Sequence, residues 1–217
     1  MKEVLLEISQ PDSESVLRCL GYGHASEPHP EVLELVRECS AEALELPGMP
    51  GAYALLPIDG VDPEGIRTEK GIILSRKLAG VARGAGSLAF ALVSAGRAFD
   101  ERLASADGLL GACVWDAIGT VLVEDGVERL LRVIGDEAGC GVSLPFSPGY
   151  CDWDLEGQGL VFSVFPPSPI GISLMEGSLM MEPQKSVSFV ACVGVEMKPE
   201  NPCRSCTLKK CFMRRSS

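Results

Sequence analysis

The run ACVWDAIGTVLVEDGVERLLRVIG, residues 112–135, decides the fold class. Val114, Ile118, Val121, Leu122, Leu130, Leu131 and Ile134 recur at helical spacing and line one face of a long amphipathic helix. Such a stripe needs an apolar surface to cover. Downstream the texture changes to short apolar segments at 160–165, 171–175 and 187–195, separated by a loop at 145–150 and by Pro166, Pro167 and Pro169. Read as strands, these segments supply the surface, and the pattern predicts an α+β domain: a sheet with flanking helices.

Upstream, residues 3–8 have strand-like apolar content, and Asp12 or Ser13 is placed to cap a short helix through Val16, Leu17 and Leu20. From Pro30 the positions Val32, Leu33, Leu35, Val36, Ala43 and Leu44 repeat at helical spacing until Pro47, Gly48 and Pro50 stop the run. Residues 52–58, 72–74 and 87–93 read as further strands.

The 217 residues carry 19 Lys and Arg against 30 Asp and Glu, a formal charge of −11. That balance argues against nucleic-acid or anionic-membrane binding, because both need a basic footprint. The charge is unevenly distributed. After Met197, six cations face only Glu200, giving +5, while the 13 cations and 29 acids before it give −16. The Pro199 to Pro202 break divides an acidic body, 1–197, from a basic tail, 198–217. The start of the chain lacks the layout of a secretory signal, and no apolar stretch reaches bilayer length, so a cytoplasmic protein with reduced thiols is expected.

Three places are able to hold chemistry. Asp116, Thr120, Glu124 and Glu128 stand four apart on one polar face of the long helix, either as a solvated face or as ligand carboxylates. The segment SPGY, 147–150, joins the fixed φ of Pro148 to the permissive backbone of Gly149 and ends in the amphipathic Tyr150, while Glu176 closes an apolar segment. In the tail, Cys203, Cys206 and Cys211 form a CxxCxxxxC set. Three thiols suit zinc or an iron–sulfur cluster if a fourth joins, with Cys151 and Cys192 as candidates; redox-active thiols are the alternative. The same string does not make a DNA-binding finger, because a first finger is absent and the upstream half is acidic. No GxSxG, HExxH or Walker loop is present.

Taken in order, VLRCLGY (16–22), DAIGT (116–120), SPGYCDW (147–153) and LMEGSLMMEPQKSVS (174–188) resemble the activation domain of cobalamin-dependent methionine synthase and its standalone relatives. The last two blocks are similar to that family's ArgxxxGlyTyrPro pattern and to its ThrGluSer followed by ProGlyAlaSerValSer. The resemblance implies a twisted antiparallel sheet that binds S-adenosylmethionine in a shallow groove. It also implies docking on a cobalamin- or corrinoid-bearing methyltransferase so that an inactivated cobalt is reduced and remethylated, with an external reductant supplying the electron. Carried over, Pro148, Gly149 and Tyr150 fall in the ligand loop, Glu176 matches the Glu of ThrGlu, and Glu124 or Glu128 falls near a helix carboxylate. Fixed carboxylates suit a ligand with a sulfonium and an ammonium charge. Two departures stand out. Pro145 occupies the Arg position and favours a rival reading, a corrinoid- or metal-handling protein of the same fold without S-adenosylmethionine; Cys151 replaces Pro.

Overall fold

In the computed structural model, which describes residues 1–22 and 27–198, a five-stranded antiparallel sheet runs in the order β1-β2-β6-β10-β7. Its strands are β1 (Lys2–Leu6), β2 (Met49–Pro57), β6 (Ser87–Ser94), β7 (Gly141–Val142) and β10 (Ser186–Gly194). β6 and β10 form its centre, with Phe90 opposite Val190. Both are apolar almost throughout, as strands covered on both faces must be.

The alternation of side chains along these strands separates two cores. Ala89, Ala91, Val93, Phe189, Ala191 and Val193 face one layer; Leu88, Phe90, Leu92, Val190 and Cys192 face the other. Helices α1 (Ser13–Cys19), α2 (Pro30–Ala43), α4 (Arg97–Ala104) and α5 (Gly108–Ala138) cover the first face. The small residues Ala89 and Ala91 let α5 approach closely, and so do glycines on the helix itself. A Cβ on Gly126 would stand 2.9 Å from Val93, and one on Gly119 would stand 2.6 Å from the Phe99 ring.

The second face is covered by the meander β3 (Gly60–Asp62), β4 (Gly65–Thr68) and β5 (Gly71–Leu74), then by α3 (Arg76–Val81) and α6 (Gly157–Ser163). A two-stranded hairpin, β8 (Ser173–Leu174) with β9 (Met181–Glu182), leads into β10. Fully burying a Phe or Leu of these cores stabilises by about 1.5–3 kcal/mol, so Leu92→Ala in the central strand would cost about 2–5 kcal/mol.

Local signals explain most boundaries. The Asp12 side chain accepts from the Ser15 backbone N–H at 2.9 Å and caps α1, as its position suggested. α5 is longer at both ends than its apolar stripe and stops at Gly139, whose φ of +62° is left-handed. One expectation is corrected: residues 160–165 are not a strand, because α6 occupies Gly157–Ser163. The buried positions Gln158, Val161 and Phe165 follow helical spacing, which a short apolar run does not distinguish from a strand. Likewise, the strand expected at 171–175 contracts to the two residues of β8, after a 3-10 turn at Pro169–Gly171.

Candidate functional site

β10 gathers the segments that the sequence singles out. On its outer edge, Ser143 exchanges two hydrogen bonds with Cys192: its N–H donates to the Cys192 carbonyl and its Oγ accepts from the Cys192 N–H, both at 2.9 Å. Four residues are enough to reach Phe146, which exchanges two 2.8 Å backbone bonds with Val190. The chain then leaves the sheet in a tight turn. Pro148 is buried, Gly149 takes φ +85°, and the Gly149 N–H donates to the Trp153 carbonyl at 2.8 Å. Trp153 is buried in the second core, and Gly157 packs flat on its indole.

The outcome is a rigid platform with an exposed tip. Tyr150 is 73% exposed, and Cys151 beside it is exposed with a left-handed φ of +58°. For a residue with a Cβ that conformation is unfavourable, and the surrounding bonds hold it. The Lys77 ammonium donates to Cys151 Sγ at 3.8 Å.

Asp152 fastens this platform to α3. Its carboxylate accepts from the Ser75 hydroxyl at 2.7 Å, from the Arg76 N–H at 2.8 Å and from the Lys77 N–H at 3.3 Å. Burial pushes the Asp152 carboxyl up, but the Ser75 hydroxyl and the backbone N–H groups of Lys77, Arg76 and Asp152 itself outweigh it and leave the group below the ordinary carboxylate range. Asp152 and Ser75 were not singled out in the sequence. Their partnership spans two distant segments, so no local spacing announces it.

Glu176 stands exposed in the turn of the β8–β9 hairpin, between Met175 and Gly177, whose φ is +81°. The hairpin is anchored at its far end. The Gln184 N–H donates to Asp100 at 2.7 Å, and the half-buried Lys185 pairs with Asp116 at 2.8 Å and donates to Thr120 at 3.1 Å. Asp116, first of the helix carboxylate row, therefore serves as the counter-ion of Lys185. Lys185 lies inside the quoted block, but nothing in its spacing reveals that partnership.

Glu124 is exposed on α5, and Glu128, partly buried on the same helix, pairs with Arg132 at 3.7 Å. Their helix covers the first face of the sheet, whereas the 147–153 turn is rooted in the second core through Trp153. β10 and the residue before it are what these segments share: α5 is tied to Lys185, the turn to Val190, and the hairpin runs directly into the strand. The structure thus brings the three elements to one strand from different sides.

Cys203, Cys206 and Cys211 lie outside the described residues. Among the described residues, no group of three or more His, Cys, Asp or Glu forms a metal site, and no helix is long and apolar enough to cross a membrane. Cys192 is fully buried, and burial pushes its thiol up to about 11, so it is badly placed to complete a site in the tail.

No protein-family model matches the chain, and no curated protein matches it by sequence. Its fold is similar to that of solved structures, among them a crystal structure of the MetH reactivation domain bound to AdoHcy. That match covers 91% of this chain and 79% of the other, with a TM-score of 0.61 and 15% identity. At that identity the likeness establishes the fold: a mixed architecture with an antiparallel sheet and flanking helices, as the sequence blocks implied.

Proposed function

We propose that this chain, whose fold is that of the MetH reactivation domain, binds S-adenosylmethionine and docks on a cobalamin- or corrinoid-bearing methyltransferase to support its reductive methylation. One observation carries the reading. The solved domain of like fold holds AdoHcy, the demethylated form of that ligand, and the SPGYCDW block forms here a braced turn that presents Tyr150 to solvent. A rigid aromatic beside left-handed backbone suits a flat adenine or a sulfonium, since the main chain is held open and little ordering is needed on binding.

In this reading Pro148 and Gly149 shape the loop, Tyr150 contacts the ligand, and Glu176 contributes negative potential toward the sulfonium and ammonium, whereas Glu124 and Glu128, on the helix that covers the other face of the sheet, take no direct part. S-adenosylmethionine supplies the methyl group, the cobalamin of the partner accepts it, and an external reductant supplies the electron. The protein binds and orients. The tail from 198 onward is a separate module in which Cys203, Cys206 and Cys211, joined by Cys151, hold zinc or an iron–sulfur cluster. The setting is the cytoplasm.

A second reading is favoured by Pro145, which offers no guanidinium to a ligand carboxylate, and by the exposed Cys151 beside Lys77. On that view the same platform handles a corrinoid or a metal and has lost S-adenosylmethionine. Calorimetric titration of the full chain with S-adenosylmethionine, and then of its Pro145→Arg variant, separates the two. Saturable binding that tightens on restoring the Arg supports the first reading, while absence of heat in both supports the second. Iron content and visible absorbance of anaerobically purified protein decide the tail: a colourless, zinc-loaded sample removes electron transfer through it.

A further inference from the structure

Asp152 does more than fasten the 147–153 turn to α3. Its carboxylate accepts the Lys77 N–H at 3.3 Å and so fixes the backbone of Lys77 beside that turn. The Lys77 ammonium in turn donates to Cys151 Sγ at 3.8 Å. A cation therefore stands at the tip of the turn, next to the exposed Tyr150.

That cation is available to a ligand. Arg76, one residue earlier, is committed to Glu64 at 2.8 Å. Among the described residues no carboxylate pairs with Lys77, which is exposed and whose side-chain partner is a thiol, a weak acceptor. An anion arriving there offers the ammonium a shorter and stronger hydrogen bond than sulfur does.

The charge around the tip decides which part of a ligand needs it. Asp152, Asp154 and Glu156 are exposed just after Tyr150, and the body of the chain carries a large excess of acids. Such a potential favours the sulfonium and ammonium of S-adenosylmethionine and opposes its carboxylate. Pro145 has no charge to offer that group. In the ligand a short methylene chain joins the sulfonium to the carboxylate, so a sulfonium against the Tyr150 ring brings the carboxylate into reach of the next position along the turn, where Lys77 meets Cys151.

We infer that Lys77 is the carboxylate-binding residue of the S-adenosylmethionine site and supplies from α3 the positive charge that position 145 lacks; the inference rests on the function proposed above. The ammonium exchanges Cys151 Sγ for the ligand carboxylate, and no covalent bond changes. Asp152 is then a positioning residue, because it holds the Lys77 backbone and the Tyr150 turn in one frame.

The test is calorimetric titration of the full chain and of its Lys77→Met variant, each with S-adenosylmethionine and with decarboxylated S-adenosylmethionine, which keeps adenine, sulfonium and amine. Lys77→Met is expected to weaken S-adenosylmethionine by about fivefold to tenfold, less at high salt, and to bind the decarboxylated form no more weakly than the wild-type chain does. Lys77→Arg is expected to keep the affinity, since a guanidinium also receives a carboxylate. Both variants retain the backbone N–H that Asp152 accepts, and thermal melts verify that they are folded. Equal weakening of both ligands by Lys77→Met, or no change in either, overturns the inference and leaves the proposed function standing. Failure of the wild-type chain to bind either ligand overturns the proposed function and this inference with it.

Discussion

The Asp152 carboxylate and the Ser75 hydroxyl, 77 positions apart in the chain, meet at 2.7 Å and lock the 147–153 turn to the start of α3. Asp152→Ala removes that lock together with two backbone acceptor contacts. The side chain is exposed, so the expected loss is about 1 kcal/mol, below the usual worth of a charged hydrogen bond. A denaturant melt checks it. The folded-state carboxyl lies below its unfolded value, so its contribution is present at neutral pH and is lost as pH falls through the folded value. Wild-type and Asp152→Asn stabilities should therefore converge in strong acid.

Tyr53 provides the opposite sign. Burial, then its hydrogen bond to Glu137, raise its phenol to about 12, while Glu137, held by Lys2 first and Tyr53 second, is lowered. Raised in the fold, Tyr53 contributes stability below its unfolded value near 10, and that contribution is lost as pH climbs toward 12. Of the three tyrosines in the chain, one should ionise late in an ultraviolet titration. Tyr53→Phe should remove that late step and flatten the alkaline loss of stability.

Glycine positions give a paired test. Gly119→Ala places a methyl 2.6 Å from the Phe99 ring and 2.8 Å from Lys185, so it should destabilise by about 1–3 kcal/mol despite better helix propensity. Gly159→Ala in α6 meets nothing within 4 Å and should stabilise by about 0.5–1 kcal/mol. Thermal melts of both variants decide.

Thiol reactivity should follow burial. The exposed Cys113 and Cys151 should react with iodoacetamide in the native protein, whereas buried Cys39 and Cys192 should react only on unfolding. Native labelling of Cys192 at the rate of Cys151 would contradict the placement of β10 between two cores.

Much of the fold is legible in the sequence because its signals are local. The stripe from Val114 to Ile134 specifies α5, and the apolar runs at 87–93 and 187–195 are the central strands, where burial on both faces leaves little choice of residue. Where signals are non-local, legibility ends. The apolar stretch around Val161 packs by tertiary contact with Trp153 and β10, so its helical state is not carried by composition. The site divides the same way. Gly149 and Tyr150 announce a turn, but the groups that hold it, Asp152 with Ser75 and Phe146 with Val190, are pairs of distant residues. The carboxylate row on α5 looked uniform, yet Asp116 serves Lys185 and Glu128 pairs with Arg132.

The most direct test of the account is calorimetric titration of S-adenosylmethionine into the full chain and into its Tyr150→Ala variant, with thermal melts of both to verify that each is folded. The account predicts saturable binding at one site in the wild-type chain and affinity weaker by about tenfold or more in the variant at an unchanged melting temperature. Binding of equal strength in both proteins, or no heat in either, would contradict it.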